Sequence, residues 1–261
     1  MSGPRRLFWD LETSPNIMFS WRCGRKITLD HQNIIKERAI ICACYKWEGD
    51  DAVHALTWNN GDDRQLCEEL SAVLNSADEL VAHNGDRFDI KWFNARCLIH
   101  RLPPQPIRKT VDTLKWARQH FYLNSSRLDY LGRLLFGEGK ISTSFDLWKN
   151  VVLANDGAAL AKMVDYCKGD VRLLERVWSR LRDYVPSETH AGVSESHDPT
   201  TRWTCAHCGS SNVATWKTRI TKLGMVRREM KCGDCRRYYS IANNIHADYL
   251  RWKTQEASKD E

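Results

Sequence analysis

The chain has 261 residues, 42% of them hydrophobic and 28% charged, with a net charge of +6. That length accommodates one large domain or a medium domain beside a small one, and the composition excludes wholesale disorder. Its longest apolar stretches, such as residues 39–45, fall far short of the roughly 20 residues of a membrane-spanning helix, and Asp10 and Glu12 interrupt any signal-peptide core after Arg5 and Arg6, so a soluble intracellular chain with no membrane partner is expected.

Residues 6–11 read as a short buried strand, 39–47 as a second and 52–58 as a third, with no helix between the last two. Over 62–76, Leu66, Leu70, Val73 and Leu74 recur at helical spacing, and 79–83 reads as a fourth strand. A helix is predicted from about residue 88 to 101, where Leu102-Pro103-Pro104 stops it. Residues 109–112 form a fifth short strand, and 114–184 are mainly helical around a loop at 137–143. This order predicts an α/β fold with a mixed five-stranded sheet flanked by helices, a class that does not by itself fix a function.

Residues 185–201 are poor in large apolar side chains and rich in Ser, Thr, Pro, Gly and acids, the composition of a linker. The chain is therefore divided into a domain at 1–184, a linker at 185–201, a small module at 202–249 and a polar tail at 250–261. From residue 200 onward there are twelve Lys and Arg against six Asp and Glu, whereas the preceding residues balance. A neutral body with a basic appendage predicts an anionic partner, and nucleic acid is the commonest.

Asp10-Leu11-Glu12 ends the first strand, and period-two alternation puts both carboxylates on one face with Leu11 on the other. Two hard oxygen ligands there suit Mg²⁺ or Mn²⁺, although alone the pair reads equally well as a solvated strand end. His83-Asn84-Gly85-Asp86-Arg87-Phe88-Asp89 follows a strand and opens a helix, which places Asp89 at a helix N-terminus where a carboxylate is favoured with or without a metal. In the helical stretch 160–181 a spacing of four puts Tyr166 and Asp170 on one face.

Together and in this order, the three elements resemble the motifs of the DEDD superfamily of ribonuclease-H-like 3′–5′ exonucleases, across most of residues 6–184. Asp10 and Glu12 match the first motif, Asn84 with Phe88 and Asp89 the second, Tyr166 and Asp170 the third. The N-x3-F-D spacing resembles the proofreading domains of family B DNA polymerases and their stand-alone, often phage-encoded relatives. Y-x3-D resembles the tyrosine subgroup, since the histidine subgroup needs a histidine where this chain has Asp165. The resemblance implies a ribonuclease-H-like fold and a cytoplasmic enzyme of a bacterial cell or a phage-infected host. It also implies four carboxylates, Asp10, Glu12, Asp89 and Asp170, balancing two Mg²⁺ or Mn²⁺ ions, with Tyr166 orienting the attacking water. Asp112 and Asp129 are expected to be structural. Arg127 is a candidate phosphate contact, and Phe88, Trp92 and Phe93 are core residues or stacking candidates.

The ten cysteines separate into two groups. Cys23, Cys42, Cys44, Cys67, Cys97 and Cys167 lack metal spacing and read as ordinary reduced thiols. Cys205-x2-Cys208 and Cys232-x2-Cys235, 23 residues apart, suit one structural Zn²⁺, with disulfides or redox pairs as the other reading. Such a staple is what a module of this size needs. Residues 213–220 and 225–231 are expected to form a hairpin over 221–224, as in a zinc ribbon. Its Lys217, Arg219, Arg227 and Arg228, interleaved with Trp216, Tyr238 and Tyr239, are candidates for nucleic-acid binding. The expected function is a 3′–5′ exonuclease on single-stranded DNA or frayed 3′ ends. An RNA exonuclease or a non-catalytic adaptor is the alternative, and a DNA polymerase or single-strand-binding protein is a candidate partner.

Overall fold

The structure, a computed structural model, describes residues 4–22, 24, 27–106, 109–140 and 143–258; the thiol expected at Cys23 lies outside the described residues. The chain divides into one unit over Arg6–Leu181 and a second that takes in everything from Arg182 onward. Among the described residues no helix is long and apolar enough to cross a membrane.

In chain order the first unit contains β1 (Arg6–Thr13), β2 (Ile17–Met18), β3 (Ile34–Lys36), β4 (Ile40–Trp47), β5 (His54–Thr57), α1 (Arg64–Asn75), β6 (Glu79–Ala82), α2 (Asp89–His100), β7 (Lys109–Asp112), α3 (Thr113–His120), α4 (Leu128–Phe136), α5 (Phe145–Leu153) and α6 (Gly157–Leu181). Five strands pair in the order β5-β4-β1-β6-β7. β1 is antiparallel to β4 and parallel to β6, so the sheet is mixed, as expected. The β2–β3 hairpin was not anticipated, because strands of two and three residues are too short for alternation to register.

Alternation along β1 determines what each sheet face carries. Leu7, Trp9 and Leu11 enter a core with Leu66, Leu70 and Leu74 of α1 and Phe93 and Cys97 of α2. On the other face Phe8 meets Trp178 of α6 at 5.2 Å, and Asp10 and Glu12 follow it along the strand. The inner stripe of α6 is buried at Met163, Cys167, Asp170, Val171, Leu174, Val177, Trp178 and Leu181, the three-and-four spacing of a helix lying on a sheet.

The second unit holds α7 (Ala191–Ser196), β8 (Val213–Ile220), β9 (Val226–Cys232), β10 (Tyr238–Ala242) and α8 (Asn243–Ala257), the strands forming an antiparallel sheet in the order β10-β9-β8. Its core gathers Trp203, Val213, Met230, Ile241 and Tyr249. Two boundary expectations need correction. Residues 185–201, read as a linker, carry α7, whose Ala191 and Gly192 are buried; the Ala191 amide donates to the Ala206 carbonyl at 2.9 Å. Small residues do this packing, since a Cβ on Gly192 would lie 2.0 Å from Thr204 Oγ1, so a search for large apolar side chains passes over them. Residues 250–261, read as a polar tail, continue α8 to Ala257, and Trp252 packs against Trp203 with ring centres 4.3 Å apart. The polar composition there hid Trp252, which shares a helix face with Tyr249.

Candidate functional site

β1 and α6 bring Asp10, Glu12 and Asp170 together, each offering a carboxylate oxygen within 4.8 Å of the others. Asp89, the first residue of α2, reaches the same strand: its Oδ1 accepts a 3.0 Å hydrogen bond from the Leu11 amide, between the other two acids. The turn before α2 makes this reach possible. Asn84 takes a positive φ of 71°, and a Cβ on Gly85 would lie 2.4 Å from that of Ala82, so only glycine lets the chain pass so close to β6.

Four carboxylates in one partly closed space raise one another's proton affinity. Burial first, then the charges of Asp89, Glu12 and Asp170, hold the Asp10 carboxyl well above the usual range. Burial and Asp170 push Glu12 up to about 8, and burial pushes Asp89 up to about 7 despite the backbone amides that donate to it. Asp170 is raised by burial, against the pull of Lys140. Burial and the Asp170 charge push the Tyr166 hydroxyl up to about 12, so it stays protonated at neutral pH.

Lys140 is the member that sequence reading missed. Its ammonium pairs with Asp170, lies 3.4 Å from the Tyr166 hydroxyl and sits 5.5 Å from the centre of that ring. Burial opposes its charge, but Asp170 and Asp10 outweigh burial and raise its pKa. Lys140 belongs to the loop after α4, positioned there because its amide donates to Asp129 Oδ1 at 2.8 Å. Asp129 thus has a structural role, as expected. So has Asp112, which caps α3 through the Leu114 amide and also accepts from the Asn84 amide at 2.9 Å. Neither residue offers a chemical signal that would have singled out a lysine thirty positions before Asp170.

The softer candidates separate. Phe88 is half-buried and packs edge-on against Trp92 at 6.4 Å, whereas Phe93 is a core residue. Arg127 stands exposed at the start of α4. Behind the acids, Cys42 and Cys44 of β4 and Cys167 of α6 form a buried group of three sulfurs, and Cys167 Sγ lies 3.7 Å from Asp10 Oδ2. These thiols are core residues as expected, but only the fold reveals that they adjoin one another.

In the second unit Cys205, Cys208, Cys232 and Cys235 place all four sulfurs within 4.8 Å of one another, and none is in a disulfide. Cys205 and Cys235 are 3.5 Å apart and Cys208 and Cys232 3.7 Å, near the separation of about 3.8 Å that a tetrahedron with 2.3 Å zinc–sulfur bonds requires. The two turns match. In each, the first cysteine's amide donates to the carbonyl five residues on, Cys205 to Ser210 at 2.9 Å and Cys232 to Arg237 at 3.0 Å. Gly209 and Arg236, each following the second cysteine, both take positive φ, 76° and 62°, although only the first pair has the glycine that this conformation favours.

Of the four basic candidates on β8 and β9, Lys217, Arg219 and Arg227 share one sheet face by register. Arg228 points to the other, where it binds Thr218 and the Asn243 side chain.

A family model for the RNase H superfamily matches residues 31–182, more than half of the chain. The match includes Asp89, Tyr166 and Asp170 and begins after Asp10 and Glu12. A comparison with curated proteins finds no match. Among solved structures, the family B DNA polymerase from the hyperthermophilic archaeon Pyrobaculum calidifontis superposes with a TM-score of 0.53 over 70% of this chain and 25% of that one, at 15% identity. The chain spans a quarter of the polymerase's length, and the likeness is one of fold. By the family model, which takes in most of the helices and strands around the acids, the chain belongs to the RNase H superfamily.

Proposed function

We propose that the chain is a nuclease and, more narrowly, a metal-dependent 3′–5′ exonuclease of the tyrosine-bearing DEDD group. In this reading it acts on single-stranded DNA or frayed 3′ ends, and a zinc ribbon helps to bind the strand. The observation that carries it is the convergence of Asp10, Glu12 and Asp170, with Asp89 anchored between the first two on the Leu11 amide. Membership of the RNase H superfamily supports nuclease chemistry, and the archaeal polymerase supplies a fold precedent.

The donor set fits hard divalent cations. The acids are all oxygen donors, raised in pKa by burial and by one another, and the Lys140 ammonium offsets part of their negative charge. Asp10, Glu12, Asp89 and Asp170 would hold Mg²⁺ or Mn²⁺, which when bound activates a water and stabilises the leaving 3′-oxygen. Tyr166, protonated at neutral pH, orients the attacking water by hydrogen bonding and does not act as its base. Lys140, beside Tyr166 and Asp170, offsets negative charge where the phosphodiester would lie. The four cysteines, already at near-tetrahedral separations, would hold one structural Zn²⁺.

The test is a gel with 5′-labelled single-stranded DNA and RNA of equal sequence, in Mg²⁺, Mn²⁺ or EDTA, with Asp10→Ala alongside. A metal-dependent ladder that shortens from the 3′ end and is absent in the variant is expected, and it also reports the preferred sugar. Binding without cleavage of either strand under every condition would overturn the enzyme reading in favour of an adaptor.

A further inference from the structure

The second unit presents one sheet face to solvent, and its residues are not those of a passive surface. Register puts Tyr238 of β10 opposite Lys231 of β9, with Glu229 and Arg227 following on that face and Lys217 and Arg219 beside them on β8. Tyr239, next to Tyr238, turns inward and hydrogen-bonds the Trp203 carbonyl at 2.6 Å. A register shift between Thr215 and Lys217 leaves Trp216 as an extra residue, which adds its ring to the outer face. There it meets Tyr238 edge-on at 5.5 Å. Both rings stay accessible, Trp216 at 57% and Tyr238 at 49% exposure. Large aromatics left in water on a small module incur a solvation cost that core packing does not explain.

Cations surround these rings. The Lys231 ammonium lies 5.4 Å from the Trp216 ring centre and 5.6 Å from that of Tyr238. Glu229 holds Lys217 at 3.5 Å and also pairs with Arg219, so one carboxylate restrains two cations at the rim of a cavity of about 480 Å³ that the rings help to line. The face has room for a base at the rings and positive charge for phosphates on either side.

We infer that this face is a stacking platform for single-stranded nucleic acid, with Trp216 and Tyr238 taking a base while Lys231 leaves the rings for a phosphate. The platform deepens the proposed function and rests on its premise that the chain acts on a nucleic-acid strand. It also assigns unequal roles to the basic residues: Lys217, Arg219, Arg227 and Lys231 face the strand, and Arg228 serves the fold. Ring stacking and phosphate pairing are both indifferent to base identity, so binding is tolerant of sequence, salt-dependent and dependent on the bases being present.

The experiment measures binding of the full chain, without added Mg²⁺ or Mn²⁺, to a fluorescent oligothymidine and to an abasic strand of equal length. Trp216→Ala and Tyr238→Ala should each weaken oligothymidine binding roughly 5- to 100-fold and leave abasic binding unchanged, with Trp216→Phe restoring most of the loss. Glu229→Gln removes no packed atom and frees two cations, so it should tighten both strands at low salt and not at high salt. Unchanged oligothymidine binding in both alanine variants, or equal loss on both strands, would overturn the platform. If an alanine variant no longer melts as the parent does, Glu229→Gln decides: weaker or unaltered binding at low salt also overturns it. Cleavage of 4-nitrophenyl thymidine-5′-phosphate, too small to span the platform, separates the two readings. Its failure in the parent chain together with failure of strand cleavage counts against the nuclease, whereas normal cleavage with unaltered strand binding by both alanine variants counts against the platform alone.

Discussion

Lys140 shows how one side chain can govern the charge balance of the site. Its charge pulls against the raised proton affinities of Asp10, Glu12 and Asp170. Removing it, as in Lys140→Ala, should move the acidic limb of the activity profile to higher pH, because the carboxyls then keep their protons longer and compete less well for a divalent ion. A pH–rate series at fixed Mg²⁺ checks this, and an unmoved limb would mean that the lysine leaves the site when metal binds. Asp89 joined the other acids only through the resemblance, whereas Asp10 with Glu12 and Tyr166 with Asp170 were legible in the sequence as pairs sharing a face, because strand alternation and helical spacing are local properties. Lys140 was not, since its place depends on Asp129 holding a loop amide, and loops carry no periodic signal.

At the scale of elements, α6 both delivers Asp170 and closes the sheet over Asp10. Leu174, one turn beyond Asp170, is 1% exposed. Leu174→Ala should therefore cost about 2–5 kcal/mol of stability, read from denaturant unfolding, and reduce activity only as far as the folded fraction falls. A second element-level device fixes α1 and α2 to β4. Asp63, fully buried, accepts from the Ile40 amide at 2.8 Å, from Arg96 through both oxygens at 2.7 Å and from His100 at 2.6 Å. Burial works against its charge, but Arg96, the Ile40 amide and His100 together hold it below the usual carboxylate range. Its folded pKa is depressed, so its stabilisation is present above about pH 4, the unfolded value, and fades as pH falls through the folded one. Asp63→Ala leaves the Arg96 guanidinium buried without its carboxylate and should destabilise by about 3–5 kcal/mol, with the largest loss near neutrality and a smaller one in acid; equal losses at pH 3 and pH 7 would show that the charge is not what matters.

Over the whole molecule the acid cluster and the Asp63 network pull the pH dependence in opposite directions. Glu12 and Asp89, raised to about 8 and about 7, keep protons in the folded chain that the unfolded chain has already released. Stability of the Mg²⁺-free protein should accordingly fall as pH rises from about 4.5 towards 8. A divalent ion that binds only the folded site reverses the trend, so Mg²⁺ should raise the melting temperature more at pH 8 than at pH 5. Melting curves at the two pH values, with and without Mg²⁺, test this. An Mg²⁺ effect of the same size at both would mean that the acids do not form the binding site.

By itself the sequence determined the order of strands and helices, the two paired-cysteine turns and the Asp10–Glu12 and Tyr166–Asp170 pairs. Each of these depends on spacings of two, three or four residues, which backbone geometry converts directly into a shared face. Only tertiary structure decided the rest. It brought Cys42, Cys44 and Cys167 together behind Asp10 from β4 and α6, turned Arg228 inward while an extra residue put Trp216 outward, and packed residues 185–201 and α8 into the second unit. These outcomes depend on strand register, on a one-residue shift and on small side chains meeting across long sequence separations. Composition and local period carry no record of such contacts, because they come into being only when distant segments exclude water from between them.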